Sequence, residues 1–467
     1  MDASRRSPPA DAQRAAADAV DRLRAAVALA LARDGVENTT VAVALSGGRD
    51  SMALLDAAVA VAAPLSLTLV ACHVHHGLSP HADAWMAACE AACARHGVRF
   101  AAQRVTVPRR ARTSLEAAAR TARYDALAAM AQAHGASAVL LAHQQDDQAE
   151  TLLLQLLRGA GPRGLAAMPA SQRMRGLLWV RPLLDVPRAL VDAYVGARAV
   201  AYVDDDSNVA TRFRRNALRQ GVVPTLREAA PGYPATIARA ARHQAEAAQL
   251  MHELAVLDAQ DGYDGVTLDR AVLAGLAPHR ARNLLRWFLH ERGLPPPSTA
   301  RLAAMQMQLR GARDDAAVRV RHAGVEIGLF RNRIYAHAAA PPPYAEAWRG
   351  EPTLALPHGV LRLVACEHGG IDVAHLFACD VIVRSREGGE RVRLASAAQP
   401  RALQRVLREA ALPPWQRDAL PLVFANGVLA AVPGIGIDPA FAVPPDRPGS
   451  AIVWSASAAT PRTPPPS

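Results

Sequence analysis

The sequence predicts an α/β fold for its first 220 or so residues, followed by a mainly helical middle domain and a small α+β C-terminal domain. Five short apolar runs alternate with segments of helical spacing, at 41–45, 67–73, 100–105, 138–142 and 177–181. Such alternation is typical of a parallel sheet that is covered by helices on both faces. Ligands of these sheets bind beyond the carboxyl ends of the strands, so the residues after each run are candidates for function.

Changes in composition predict the domain boundaries. We expect a disordered tail at 1–17, the α/β domain at 18–227 and a disordered tail at 455–467. The middle domain, 228–340, begins where the sequence turns helical and rich in Ala, Leu and Arg. A Pro-rich linker at 341–353 leads to the C-terminal domain, 354–454, whose strand-like runs are joined by one predicted helix at 400–411.

All 53 Lys+Arg positions are arginine, so the chain contains no lysine. Enzymes that need their own ε-amine are thereby excluded: Walker-type P-loop NTPases, protein kinases, Schiff-base and pyridoxal enzymes, and ligases that carry AMP on lysine. A GC-rich codon bias accounts for the absence. The formal charge of +11 favours a polyanionic partner such as nucleic acid.

Targeting and redox features predict a cytoplasmic protein. The five cysteines include no C-x-x-C pair, which argues against a disulfide framework. No stretch reaches the roughly 20 continuous apolar residues that a membrane-spanning helix needs. We therefore expect no membrane partner.

The sharpest motif lies between the run at 41–45 and an apolar helix pattern: Ser46, Gly47, Gly48, Arg49, Asp50 and Ser51. Glycines permit a tight turn, hydroxyl groups donate, and a helix N-terminus adds N–H groups, which together suit a phosphate. An acidic residue beside an anion is explained if it binds Mg²⁺, so Asp50 is the candidate metal ligand. The alternative is a turn with no ligand.

A second motif, 142–151 (AHQQDDQAET), follows the run at 138–142. His143 and Asp147 at i, i+4 and Asp147 and Glu150 at i, i+3 are expected on one helical face. Together with Asp146, the carboxylates would form one anionic pocket. The alternative is a helix N-terminus whose acidic residues favour the helix dipole.

Histidines and arginines supply weaker signals. A histidine zinc site is not favoured, because the group at 73, 75, 76 and 81 has no further ligand of matching spacing. Arg401, Arg405 and Arg408 form a basic stripe on the predicted helix 400–411, suited to the backbone of folded RNA, although a solvated helix face is the alternative. Trp415 is expected in the core.

The motif at 46–51 resembles the SGGxDS motif of the PP-loop ATP pyrophosphatases, which split ATP between its α and β phosphates. Further stretches resemble, in the same order, those of the tRNA(Ile)-lysidine synthase family: 73–78 (HVHHGL), 114–124, 142–151, 156–161 (LLRGAG), and 205–208 (DDSN) with 215–219 (RNALR). Beyond the linker, 386–390 (REGGE) and 412–417 (LPPWQR) resemble the C-terminal module of the family's long form. The resemblance extends from about 40 to 450.

The resemblance implies a PP-loop, adenine nucleotide α hydrolase-like, fold and a two-step reaction that uses ATP and Mg²⁺. The wobble cytidine of the isoleucine tRNA with a CAU anticodon is adenylated with release of pyrophosphate, and free L-lysine then displaces AMP to give lysidine. It also implies residue roles. The nucleotide site would comprise Ser46, Gly47, Gly48, Arg49, Asp50, Ser51 and His73. The catalytic residues would be Asp50, His143, Asp147, Glu150 and Arg215, with the lysine site formed by Asp146, Asp147 and Glu150. The tRNA contacts would be Arg219, Arg401, Arg405 and Arg408.

Three positions depart from the family pattern. Gln144 stands where a second histidine is common, His75 where asparagine is usual and Ser79 where arginine is usual. We therefore expect His143 or a carboxylate to act as the general base.

Two other functions stay open. One is a pyrimidine thiolase, although Cys89 and Cys93 lie on an ordinary helix pattern. The other is a non-enzymatic RNA-binding protein on a degenerate PP-loop scaffold. No protein partner is implied, and a homodimer is left open.

Overall fold

The computed structural model describes residues 10–77, 79–106, 115–203, 214–312, 318–339, 342–394 and 399–456. The chain divides into two compact units, Met1–Leu250 with Pro465–Ser467 and Met251–Pro464. Helix α1, Ala10–Arg33, begins earlier than expected, so 10–17 is helical, and the prediction of a disordered tail was wrong for this segment. Ala-rich sequence with an acidic first turn favours the extra turns.

A six-stranded sheet forms the centre of the first unit. Its strands are β1 Thr40–Ala44, β2 Thr68–His75, β3 Arg99–Arg104, β4 Ala136–Leu140, β5 Ser171–Met174 and β6 Leu177–Val180. The order is β3-β2-β1-β4-β6-β5. The five strands that the sequence predicts pair in parallel, as expected. The sixth, β5, is an antiparallel edge strand on β6 that the sequence analysis missed.

The other helices of this unit lie between the strands and after the last of them, and the final helix continues past Leu250 into the second unit. They are α2 Arg49–Ala62, α3 Ala82–His96, α4 Leu115–Ala133, α5 Gln145–Leu156, α6 Pro162–Leu165, α7 Arg188–Arg198, α8 Arg214–Ala217, α9 Val223–Ala229 and α10 Tyr233–Ala259. A single π-helical turn, Leu218–Val222, joins α8 to α9. In the part of the chain that is described, no helix is long and apolar enough to cross a membrane.

Strand β1 shows how the sheet is covered on both faces. Val41 and Val43 pack with α1, α2 and α7 in one core, whereas Ala42 belongs to a second core with Tyr124 of α4 and Trp179. This alternation is the two-residue period of a strand. The carboxyl ends of β1, β2, β4 and β6 therefore share one edge between the two helical layers, and the sequence motifs lie at that edge.

The first part of the second unit packs short helices on a small antiparallel sheet. The helices are α11 Arg270–Gly275, α12 Pro278–Glu291 and α13 Thr299–Gly311, and the strands are β7 Leu268–Asp269, β8 Arg319–His322, β9 Val325–Phe330 and β10 Arg333–Ala338. The sheet order is β7-β10-β9-β8. Phe288, Ile327 and Ile334 are fully buried in their shared core.

The rest of the second unit is α+β, as predicted. Its elements are β11 Ala345–Ala347, β12 Thr353–Leu356, β13 Gly359–Cys366, α14 Val373–Phe377, β14 Val381–Arg384, β15 Arg391–Val392, β16 Arg401–Ala402, α15 Leu403–Glu409, α16 Pro414–Ala419, β17 Leu422–Ala425, β18 Val428–Val432, β19 Gly436–Ile437 and β20 Gly449–Ala456. The predicted helix 400–411 is shorter than expected, because Arg401 pairs with Val392 in a two-stranded sheet.

Trp415 joins the two parts of the second unit. Its ring stacks on His337 at 4.0 Å between centroids and lies 5.0 Å from that of Tyr335, both on β10. A side chain at Gly328 of β9 would place its Cβ 2.7 Å from the Trp415 ring, so glycine is needed for this close approach. Trp415 is 7% exposed, which confirms the prediction that it is a core residue.

Candidate active site

The SGGRDS turn (residues 46–51) connects β1 to the N-terminus of α2. Gly47 has a φ of +88°, and a Cβ there would lie 3.0 Å from Val203 and 3.1 Å from Cys89, so only glycine fits. The Ser51 hydroxyl donates to the Gly48 carbonyl at 2.8 Å and accepts from the Ser46 backbone N–H at 3.2 Å. The Ser46 hydroxyl donates to the Ser51 hydroxyl at 3.0 Å and accepts from the Gly48 N–H at 3.3 Å. The two hydroxyls therefore hold the shape of the turn, and α2 begins directly at it.

Asp50 stands at the first turn of α2. Its Oδ1 is buried and accepts no hydrogen bond; the Arg49 Nε lies 3.7 Å from it, and the Arg49 Nη1 binds Asp192 at 2.6 Å. Burial raises the pKa of Asp50, and the charge of Asp147 raises it further. A buried carboxylate oxygen without a partner is suited to a hard cation such as Mg²⁺, which is commonly held by one or two carboxylates and substrate phosphates.

The N-terminus of α5 is capped by Gln144. Its side chain accepts from the Asp146 backbone N–H at 2.9 Å, and the Gln144 N–H donates to Asp147 at 3.0 Å, which completes a capping box. Gln144 is therefore a helix cap in this chain. His143 precedes the helix, so the expectation that it shares a helical face with Asp147 was wrong.

Two arginines neutralise Asp147 and Glu150, which we term the acid pair. Arg215 donates from Nη2 to Asp147 at 2.7 Å and from Nε to Glu150 at 2.8 Å. Arg219 binds both oxygens of Glu150, at 2.7 and 2.9 Å. Burial by itself would raise the pKa of Glu150, but the bonds from Arg219 and the charge of Arg215 outweigh it and hold the pKa below its usual range. The i, i+3 prediction for the acid pair is thus confirmed.

Asp146 lies apart from these ion pairs. Its nearest recorded cation is Arg227, at 3.9 Å, and burial raises the pKa of the Asp146 carboxyl. The pKa of Glu150 is lowered although that of Asp146 is raised, because only Glu150 receives direct guanidinium bonds. The three predicted acidic residues are close in space, but their charges are balanced differently.

His143 is surrounded by positive charge. It is 9% exposed, and its Nδ1 has no hydrogen-bond partner. Burial lowers the pKa of His143 well below its usual range, and the charges of Arg181, Arg123 and Arg215 lower it further. His143 is therefore neutral at physiological pH. The sequence analysis missed Arg181, although its position directly after β6 was a signal that could have identified it.

His73 and its neighbours line the same edge of the sheet. His73 Nδ1 lies 2.9 Å from the Leu45 carbonyl, immediately before the SGGRDS turn. Burial lowers the pKa of His73 and also lowers that of His76, to about 4. His75 contacts Arg104 at 3.3 Å and Asp83 at 3.3 Å, so it joins a surface charge network.

The predicted basic stripe of the C-terminal domain is not present as expected. Arg401 lies on β16, and both it and Arg405 bind Glu409, at 2.6 and 3.1 Å. Arg408 is on α15. The predicted motif residues 205–208 and Ser114 lie outside the described residues.

Comparison with known proteins agrees with this geometry. A family model described as a PP-loop domain matches residues 21–226. With the parallel sheet and the SGGRDS turn, this match defines a protein of the PP-loop class, which uses ATP. Models for the TilS substrate binding domain and the TilS substrate C-terminal domain match 268–335 and 381–454. Relatives named tRNA(Ile)-lysidine synthase are 41% and 42% identical over more than four fifths of this chain, so the chain belongs to the tRNA(Ile)-lysidine synthase family.

Its relatives support that assignment over most of the sequence. It is 41% identical over 420 residues to the tRNA(Ile)-lysidine synthase of Burkholderia pseudomallei, covering 81% of this chain and 86% of the relative. The enzyme of the same name from Ralstonia nicotianae is 42% identical over 400 residues, covering 82% and 85%. Among solved structures, a U34-tRNA thiolase from Methanococcus maripaludis matches 49% of this chain and 80% of its own, with 17% identity and a TM-score of 0.42.

Proposed function

We propose that this chain attaches free L-lysine to the wobble cytidine of the CAU-anticodon isoleucine tRNA, through an adenylated cytidine and with release of pyrophosphate and AMP. The observation that carries the proposal is the position of the two motifs: the SGGRDS turn follows β1, and the acid pair lies on α5 after β4, which is the parallel neighbour of β1. In agreement with this, the charge of Asp147 raises the pKa of Asp50. A nucleotide site at the SGGRDS turn thus adjoins an acidic site that suits an ammonium group. Both reactants of the second step would meet at this edge of the sheet.

In the first step, the SGGRDS turn and the N-terminus of α2 would hold the departing pyrophosphate. The Oδ1 of Asp50, which accepts no hydrogen bond, fits Mg²⁺, and the ion when bound would neutralise charge on the phosphates. Arg49 and His73 flank the same turn, on α2 and β2. Arg215 would stabilise the negative charge of the adenylate, because a guanidinium stays charged throughout.

In the second step, the acid pair and Asp146 would bind the lysine side chain. The ammonium group has a reference pKa of about 10.4 and must lose a proton before it attacks. Of the two candidate proton acceptors, Asp146 is favoured, because burial raises its pKa and its recorded ion pair, with Arg227, is long at 3.9 Å. His143 is neutral, but burial and the surrounding arginines lower its pKa and disfavour its protonation. Arg215 and Arg219 occupy the acid pair in this structure, so lysine would share or replace their bonds.

The decisive experiment incubates the protein with labelled lysine, ATP, Mg²⁺ and the CAU-anticodon isoleucine tRNA. We expect label in the tRNA, and none when ATP is omitted or when methionine tRNA with the same anticodon is supplied. Binding of the tRNA without incorporation would instead indicate a non-enzymatic RNA-binding protein. Incorporation of sulfur rather than lysine would indicate a thiolase.

The metal role is tested with Asp50→Ala. This variant should lose tRNA-dependent pyrophosphate release, because Mg²⁺ loses its carboxylate ligand. Asp21→Ala, on the exposed side of α1, should retain pyrophosphate release. Pyrophosphate release at the wild-type rate in Asp50→Ala would contradict the assignment.

A further inference from the structure

Four buried nitrogen atoms without hydrogen-bond partners lie together near the carboxyl ends of β4 and β6. They are the Nδ1 of His143 and the Nε atoms of Arg120, Arg123 and Arg181. Arg181 is only 5% exposed; its Nη1 donates to the Pro169 carbonyl at 2.8 Å, and its guanidinium also bonds to the side chain of Tyr124. Buried polar groups are nearly always hydrogen-bonded, so four unsatisfied donors or acceptors in one place require an explanation.

The three arginines, which we term the arginine nest, surround a buried tyrosine. Tyr124 is fully buried, and Arg120 and Arg123 lie 5.1 and 5.9 Å from its ring centre. Among the side chains that the structure describes, no carboxylate forms an ion pair with Arg123 or Arg181, and Arg120 donates to the Tyr124 hydroxyl at 3.4 Å. Arg175 lies over the same ring at 5.8 Å but is paired with Asp125 at 2.6 Å. In the described part of the chain, the positive charge of Arg123 and Arg181 is therefore not balanced by a carboxylate.

Such an arrangement is unfavourable unless an anion completes it. A buried charge without a partner costs several kcal/mol, and a guanidinium cannot escape the cost by losing its proton. Guanidinium groups bind phosphate oxygens through paired N–H groups. We propose that Arg120, Arg123 and Arg181, with the neutral His143 beside them, form a second phosphate-binding site of this protein, separate from the SGGRDS turn.

The neighbouring charges separate the two sites. Arg215 is close enough to Arg123 for each charge to oppose the other, and its guanidinium binds Asp147 and Glu150. Asp147 in turn acts on Asp50 beside the SGGRDS turn. The positive charge of Arg215 and the negative charges of the acid pair thus act on both sites. The turn follows β1, whereas His143 and Arg181 follow β4 and β6, so a phosphate in the nest would be a different group from the pyrophosphate at the turn.

The choice of ligand rests on the proposed function, in which two molecules carry a suitable phosphate. One is the nucleotide, through its α-phosphate, and the other is the tRNA, through its backbone beside the target base. The test measures binding of Mg-ATP and of the CAU-anticodon isoleucine tRNA to the full-length protein, at several salt concentrations. The variants are Arg123→Met and Arg181→Gln. Arg175→Gln is the matched control, because it changes an arginine at the same ring whose charge is already balanced.

If the tRNA supplies the phosphate, both nest variants should bind tRNA at least about tenfold more weakly, and the salt dependence of log affinity should fall by about one. If the nucleotide supplies it, the loss should appear in ATP binding, with tRNA affinity unchanged. The control should keep both affinities. Folded nest variants that bind both ligands within about twofold of wild type would overturn the proposal.

Thermal unfolding distinguishes a ligand-binding arginine from one that only supports the fold. Without ligand, Arg123→Met should melt at a higher temperature than wild type, because an unbalanced buried charge is removed. Inorganic phosphate should raise the melting temperature of wild type more than that of the variant. A variant that melts lower and responds to phosphate like wild type would contradict the site. Neither binding nor melting depends on lysine incorporation, so this proposal and the proposed function can fail separately.

Discussion

Glu150→Gln tests the ion-pair network at the N-terminus of α5. The Glu150 side chain is 4% exposed and receives three guanidinium bonds of 2.7 to 2.9 Å, from Arg215 and Arg219. Glutamine has nearly the same shape, so the change removes charge without creating a cavity. The two arginines then face a neutral group that can accept fewer bonds.

The magnitude follows from burial. Removing one partner of a fully buried pair costs about 3–5 kcal/mol. The side chains of Arg215 and Arg219 are 25% and 33% exposed, so water compensates part of the loss. We expect the free energy of local opening of α5 to fall by about 2–3 kcal/mol, which would make exchange of its amide hydrogens roughly 30- to 150-fold faster.

Hydrogen exchange of the α5 amides measures this change. The exposed Glu228→Gln, on α9, is the matched control and should have no effect. An effect of Glu150→Gln below about tenfold, or one equal to that of the control, would refute the reasoning.

The pH dependence of the stability difference between wild type and Glu150→Gln is a second test of the ion-pair network. Because the pKa of Glu150 is lower in the folded state, its stabilisation is complete above the unfolded value of about 4.3 and is lost as pH falls through the folded value. The difference between wild type and variant should therefore shrink below about pH 4.

Three further changes test the fold around the sites. Gly47→Ala should prevent tight ATP binding and destabilise the first unit by more than about 1 kcal/mol. The reason is that residue 47 has a left-handed φ and that an added Cβ would be crowded by its neighbours. Titration with ATP measures the loss of binding. Gln144→Ala should cost α5 about 1 kcal/mol through loss of its cap, whereas Gln144→Asn should cost less, as judged by amide exchange in the first turn. Trp415→Ala should cost about 3–5 kcal/mol in denaturant unfolding of the second unit, and equal midpoints for variant and wild type would contradict the packing seen here.

The sheet was predictable because its strands are locally encoded. Apolar runs such as 41–45 are short, continuous and separated by helical spacing, so each predicts a strand buried on both faces. Strand β5, SQRM, has no apolar run and is only partly buried. It forms because it pairs with β6 in a hairpin, which is an interaction that the periodicity of its own residues does not reveal.

The candidate site was predictable in its components but not in its pairings. The SGGRDS turn and the acid pair follow from motif position after a strand. That Arg219 binds Glu150 could not be read from the sequence, since 69 residues separate them and tertiary packing brings them together. Arg401 and Glu409 are close in sequence, but Arg401 lies on β16 and Glu409 on α15. Their ion pair was not predicted, because the sequence pattern indicated one continuous helix over both. The residue types indicated the charge of these regions, but only the structure shows which charges cancel.

The contact between Trp415 and β10 limits how the second unit can be divided. A cut at the Pro-rich segment would leave β9 and β10 in one fragment and the tryptophan in the other. The first fragment would then expose Phe330 and Tyr335, and the second would expose an indole ring that is now 7% accessible. Exposed apolar surface of this kind promotes association. Fragments that remain soluble and functional are therefore expected only when 268–454 is kept intact.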